Sequence, residues 1–178
     1  IRIEFSQHIA EVKLHRPDRF NALNEAMWQE LRTAFLWADS TPEVRVVVLS
    51  GTGKNFCSGI DLSMLADVEA LVAHRDPARS HEALRLLILD LQDCFTCIER
   101  CRKPVLASIQ GACIGAGVDL VSCCDMRYAA ADAQFSVREI ELGMVADVGT
   151  LQRLPCLIGE GLARELAYTA RQADAGEA

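Results

Sequence analysis

Positive charge is scarce in this sequence. Its 178 residues carry 18 Lys and Arg against 25 Asp and Glu, a formal net charge of −7. That balance excludes the broad basic surface a nucleic-acid backbone selects, while a small anionic ligand needs only a local basic patch. No apolar run reaches the length of a membrane span, and the chain does not open on a signal peptide. It opens on Ile1 rather than Met, a start compatible with a targeting segment ahead of it. A disordered composition is lacking too. Half the residues are hydrophobic (51%) and 24% are charged, and this length suffices for one domain with a sizeable core.

Cysteine, by contrast, is plentiful, at eight residues. Cys94, Cys97 and Cys101 recur at helical spacing, with Leu87, Leu91 and Ile98 nearby. Read as a metal or redox pair, Cys94-x-x-Cys97 lacks a second pair or a histidine cluster to complete it. A reduced stripe in the core is the better reading, and it implies a reducing compartment.

Hydrophobic periodicity divides the chain into alternating strands and helices. Ile1 to His15 alternates as a β-hairpin around Ser6-Gln7, and Arg16-Pro17-Asp18 ends it. Asn24 caps a helix that carries Met27, Leu31 and Phe35 on one face. Val44 to Leu49 and Val105 to Gln110 are apolar enough to predict strands covered on both faces. His74 to Ser80 reads as a mobile connector, and Leu84 to Cys101 as a long amphipathic helix. Helices over Ala116 to Cys124 and Gly161 to Arg171, a short strand over Met126 to Ala130, and a polar stub over 173–178 complete the pattern. This alternation predicts an α/β fold.

Chemistry concentrates in the glycine-punctuated second half. Asp119, Glu139 and Asp147 lie among small and apolar neighbours, where an ionised carboxylate must be paired, protonated or used. Carboxyls whose pKa values are pushed apart by burial and mutual repulsion can move protons at neutral pH. On capping preferences alone, Asp147 is also an N-cap for a helix over Gly149 to Ile158. Two segments offer free backbone N–H groups to an anion: Ser58-Gly59-Ile60-Asp61, after a buried strand, and Gly115-Ala116-Gly117, at a helix start. Aimed at one oxygen, they form an oxyanion hole; taken singly, each glycine serves only a tight turn. A dinucleotide fingerprint fails, because Gly111, Gly115 and Gly117 do not fit G-x-G-x-x-G and Asp119 would sit near the pyrophosphate.

Five segments carry a resemblance. They are His15-Arg16-Pro17 with Asn21-Ala22-Leu23, Phe56-Cys57-Ser58-Gly59-Ile60-Asp61-Leu62, Gly111 to Gly117, Cys124-Asp125-Met126-Arg127, and Gln152-Arg153-Leu154-Pro155. Over essentially the whole chain the sequence resembles the enoyl-CoA hydratase/isomerase (crotonase) superfamily. Within it, Val118-Asp119-Leu120 and the run from Ala146 to Arg153 look most like the Δ3,5-Δ2,4-dienoyl-CoA isomerases. Hydratases of the superfamily typically carry Glu at the Asp119 and Glu139 positions and a small residue at the Asp147 position.

The resemblance implies an α/β fold, a crotonase-like spiral of β-β-α turns, with residues 1–178 as its N-terminal core domain and the usual C-terminal helical region largely absent. It implies isomerisation of a 3,5-dienoyl-CoA to a 2,4-dienoyl-CoA in β-oxidation of unsaturated fatty acids. Asp119, Glu139 and Asp147 would be the catalytic residues, with the N–H groups of Ile60 and Ala116 holding the thioester oxygen. Many relatives have Gly at the Ala116 position; Ala keeps the N–H but restricts the backbone. Ser58, Gly59, Ile60, Asp61, Leu62 and Ala116 would line the acyl-CoA substrate, whose CoA runs past the loop near Arg16. Glu139 is assigned to C2, Asp147 to C6 and Asp119 to tuning its neighbours, with the first two roles interchangeable at this level. No separate cofactor or metal is implied, since CoA is part of the substrate, and no nucleic-acid or membrane-spanning partner. A homotrimer or hexamer is implied where the C-terminal region is present, in mitochondria or peroxisomes, or in the cytoplasm of a bacterium. The alternatives are an enoyl-CoA hydratase using Asp119 and Glu139, and a catalytically silent acyl-CoA- or protein-binding member.

Overall fold

Two consecutive residues with positive φ, Gln7 at 48° and His8 at 68°, turn the first strand back on itself. The hairpin they close consists of β1 (Arg2–Ser6) and β2 (Ile9–Leu14), as the alternation predicts. The computed structural model describes residues 1–73 and 76–178. Strands β3 (Val46–Gly51), β4 (Val105–Ile109) and β6 (Met126–Ala129) extend the hairpin into a five-stranded sheet of order β1-β2-β3-β4-β6, all parallel after the first pair. Register puts Val12, Leu49 and Ala107 side by side, and Ala10, Val47 and Val105 beside them. These six side chains are at most 1% exposed and form the sheet side of the core.

Helix α1 (Glu25–Ser40) begins where Asn24 accepts a hydrogen bond from the Met27 N–H at 3.1 Å. It buries Met27, Trp28, Leu31, Ala34 and Phe35, and Trp28 stacks on Phe95 of α3 (Pro77–Glu99) at 4.4 Å. Each of the large side chains among them contributes about 1.5–3 kcal/mol through the surface it removes from water. One face of strands β3 and β4 is buried and the other only partly covered, contrary to the sequence expectation of cover on both. Val46 and Val48 remain half-buried and Ser108 is exposed, because the buried helix faces lie over one side of the sheet.

Helix α3 is longer than its apolar period suggests. Asp76 accepts from the Ala78 N–H at 3.0 Å and Pro77 occupies the first helical position, so the pair is a helix start signal. Of the expected connector, His74 and Arg75 lie outside the described residues, and Pro77 to Ser80 form the first turn of α3. The expected cysteine stripe is graded: Cys94 is buried, Cys97 and Cys101 half-buried, and all eight thiols are free.

A second sheet, order β5-β7-β8, joins β5 (Ala112–Ile114), β7 (Gln134–Ser136) and β8 (Ala173–Asp174). The expected polar stub therefore pairs, Phe135 with Ala173 and Gln134 with Asp174, while the Asp174 carboxylate accepts from the N–H groups of Gly176 and Glu177. The remaining helices are α2 (Ser63–Val72), α4 (Ala116–Ser122), α5 (Thr150–Ile158) and α6 (Glu160–Thr169). All seven residues of α4 are buried, so the carboxylate of Asp119 is carried into the interior by its own helix.

Candidate active site

The loop after β3 and the start of α4 are tied together by main-chain bonds. Cys57 pairs with Cys113: its N–H donates to Ala112 O and its carbonyl accepts from the Ile114 N–H, each at 2.9 Å. Leu23 brackets Ile60 in the same way, accepting from the Asp61 N–H at 2.9 Å and donating to Gly59 O at 2.8 Å. In that parallel bridge the Ile60 N–H points away from its partner strand. The Ala116 N–H, in the first turn of α4, has no intrahelical acceptor. Among the described residues neither N–H has a hydrogen-bond acceptor.

Glycine is required where the two segments meet. Gly59 has φ +100°, and a Cβ there would lie 3.1 Å from Ile114 O and 3.7 Å from Ala116 N. A Cβ on Gly115 would stand 3.3 Å from Glu139 Oε1, which places that carboxylate against the glycine that precedes Ala116.

Behind the loop, Asn21 does work that sequence reasoning left unassigned. Fully buried at φ +56°, it donates to the carbonyls of Thr52, Asn55 and Phe56 at 2.9–3.1 Å and accepts from the Arg16 N–H at 2.8 Å. Its one signal in the sequence is its place in the Asn21-Ala22-Leu23 segment that carries the family resemblance. Asp61 is likewise engaged within the fold. It accepts from the Ser63 N–H and hydroxyl, and from Arg16 Nη1 at 2.9 Å; these bonds hold its pKa below the usual value, Ser63 first.

A cavity of about 710 Å³ opens over this cradle. Ser58, Gly59, Ile60, Asp61, Leu62, Ala116, Glu139 and Asp147 all line it. Asp119 does not. Leu84, Leu87, Ile88 and Leu91 of α3 form an apolar wall; by sequence Leu87 and Leu91 group with the core cysteine stripe, and here they face the cavity.

The three carboxyls differ in setting. Glu139 starts a 3-10 turn (Glu139–Leu142), and its Oε2 is buried without a partner among the described residues. Burial raises its pKa, its own backbone N–H opposes that rise, and the Asp147 charge adds to it. Burial likewise raises Asp147. Asp147 is not a helix cap: Gly149 holds the N-cap position of α5, without a side-chain cap.

Asp119 is fully buried. Its Oδ1 accepts from the Thr150 N–H at 2.5 Å, and its Oδ2 has no partner among the described residues. Burial pushes its pKa up to about 7, Thr150 restrains the rise, and the charges of Glu139 and Asp147 add to it. Repulsion among the three carboxyls is reciprocal, and Asp119 shows the largest rise because it is the most deeply desolvated of them. The site thus offers two N–H donors, a carboxyl against Gly115, a second carboxyl in the same cavity and a third buried behind it.

The profile of a family described as enoyl-CoA hydratase/isomerase matches residues 4–178. The chain belongs to the enoyl-CoA hydratase/isomerase family. Among relatives of this family, the chain is 46% identical over 179 residues to a Delta(3,5)-Delta(2,4)-dienoyl-CoA isomerase, peroxisomal, of Arabidopsis thaliana, covering all of this chain and 64% of that one. It is 49% identical over 173 residues to the mitochondrial Delta(3,5)-Delta(2,4)-dienoyl-CoA isomerase of Mus musculus, covering 97% of this chain and 53% of that one. Among solved structures, a putative enoyl-CoA hydratase from Thermobifida fusca YX in complex with acetoacetyl-CoA superposes with a TM-score of 0.84 at 34% identity. That match covers 98% of this chain and 68% of that one. The chain therefore spans between half and two thirds of the length of the curated relatives it matches.

Proposed function

We propose that this chain carries the reaction centre of an isomerase that converts a 3,5-dienoyl-CoA to the 2,4-dienoyl-CoA. The observation that carries the reading is Asp147. It places a second carboxyl in the cavity of Glu139, where proton transfer between two distant carbons needs one group at each. Nearly half-identical relatives named as dienoyl-CoA isomerases support the same reading, and the acetoacetyl-CoA complex of a similar fold supports a CoA thioester as ligand.

Ionised Glu139, against the glycine that precedes Ala116, takes a proton from C2. The released electron pair forms the C1–C2 double bond and the carbonyl pair moves onto oxygen, where the N–H groups of Ile60 and Ala116 hold it. Protonated Asp147 then delivers its proton to C6. Electrons return from the enolate oxygen, leaving double bonds at C2 and C4. Glu139 ends protonated and Asp147 ionised, so protons balance and a proton return resets the pair. The reading invokes no cofactor, because the thioester supplies the acidity at C2. The compartments in the relatives' names, peroxisome and mitochondrion, extend to this chain as part of the same reading.

The hydratase alternative asks Asp119 to activate water. A carboxyl with no exposed surface and no place on the cavity wall is poorly sited for that. Ultraviolet absorbance separates the readings. With a 3,5-dienoyl-CoA, conjugation raises absorbance, which is the expected result. With a 2-enoyl-CoA, hydration lowers it, and a binding-only protein changes neither. Loss of signal on the enoyl substrate with none gained on the dienoyl one would overturn the proposal.

A further inference from the structure

The Asp147 carboxyl has no hydrogen-bond partner beyond its own backbone among the described residues. Its aim into the cavity therefore depends on how the main chain of 147–150 is held. Gln92 Nε2 of α3 donates to the Asp147 carbonyl at 2.5 Å. Arg153 Nη1 donates to the Val148 carbonyl at 3.4 Å, while its Nη2 is held by Glu99 at 2.8 Å and Thr96 at 3.3 Å, both on α3. Gly149 has φ +130°, and a Cβ there would lie 1.7 Å from Arg153 Nη1, so the guanidinium stands where a side chain would go.

We infer that Gln92 is a positioning residue that fixes the direction of the Asp147 carboxyl, so that the helix forming the apolar wall of the cavity also sets its second proton-transfer group. The inference rests on the isomerase reading above. Leu91 lines the cavity and Gln92, the next residue, reaches round to the Asp147 carbonyl. One helix thus bears on the acyl chain with one side and on the carboxylate segment with the other. Arg153 holds the adjoining carbonyl, but Gln92 acts on the peptide of Asp147 itself. The free carbonyl would swing with the segment, and a misplacement on the order of 1 Å costs about 10²-fold in rate.

The test compares wild type with Gln92→Met, which keeps the length and removes the donor. Gln92→Glu serves as the second variant, keeping the shape but turning an oxygen toward the carbonyl. Turnover of a 3,5-dienoyl-CoA, melting temperature and deuterium uptake at C2 in heavy water are measured on each. In both variants kcat falls about 10- to 100-fold, KM and melting temperature stay near wild type, and C2 exchange, which belongs to Glu139, persists. Unchanged kcat in an active protein would overturn the inference alone. Joint loss of C2 exchange and kcat would also overturn it, since the damage would not be confined to Asp147. A wild-type chain that exchanges no C2 proton and makes no conjugated product would overturn the isomerase reading, and this inference with it.

Discussion

On one side of the cavity, Ile60 and Ala116 offer backbone N–H groups set by main-chain pairing, Cys57 with Cys113 and Leu23 with Ile60, and by the left-handed glycines Gly59 and Gly115. On the other, Glu139 and Asp147 offer side chains, and the main chain that carries Asp147 is braced by side chains too, Gln92 and Arg153. The first side should tolerate any side-chain change that leaves the peptide in place. The second should respond to single atoms of a side chain. A backbone donor costs no side-chain ordering at the moment of reaction, whereas a proton carrier has to be a titratable side chain.

The largest effect that would break this contrast is on the side-chain face. Asp147→Asn keeps the size and the polar atoms but cannot carry a proton to carbon. Turnover of a 3,5-dienoyl-CoA should fall by about 10²–10⁴-fold, the usual contribution of a positioned general acid or base. CoA affinity and melting temperature should hold, because Asp147 caps no helix. Retention of more than about half the activity would move Asp147 out of the proton path.

On the backbone face, paired substitutions at Ile60 sharpen the same contrast. Ile60→Val retains the N–H and should act like wild type. Ile60→Pro removes the donor, and loss of one oxyanion donor costs about 10²–10³-fold in kcat. Circular dichroism and CoA affinity measured alongside distinguish a lost donor from a disturbed loop. Equal damage from both would mean that the Ile60 side chain, not its peptide, matters.

Sequence patterns already carried much of the backbone face. The glycines after a buried strand and before an apolar helix were legible because positive φ and close approach leave a residue-type signature. The hairpin, the Asn24 cap and the α1 face were legible for the same local reason. Strands β5, β7 and β8 were not: pieces of two or three residues have no period, and they pair only across long separations. The acidic triplet was visible in sequence, but its geometry was not. Nothing in the residues around Asp119 says that the Thr150 N–H meets its carboxylate, or that Gln92 reaches the Asp147 carbonyl across 55 positions. Such contacts are fixed by the packing of α3, α4 and α5, which no local pattern encodes.

The smallest expected effect concerns the residue that belongs to neither face. Burial disfavours the Asp119 charge and pushes its pKa up to about 7 in the folded protein, against 3.8 for an ordinary aspartate. Between those values the folded state binds more protons than the unfolded one, so stability falls as pH rises through that window. The full difference is on the order of 4 kcal/mol, reached only above the folded pKa. Asp119→Asn carries no charge at any pH, and its Oδ1 can still accept from the Thr150 N–H. Urea unfolding at pH 5 and pH 8 should therefore show a smaller drop for the variant, by on the order of 2 kcal/mol. Glu139 and Asp147, also raised by burial, keep part of the slope in both proteins, since the carboxyls titrate as a coupled set. Parallel drops in wild type and variant would mean that Asp119 is not the desolvated member of the set. The inward-facing carboxyl would then have to reach water or a partner, and its separation from the cavity would fail with it.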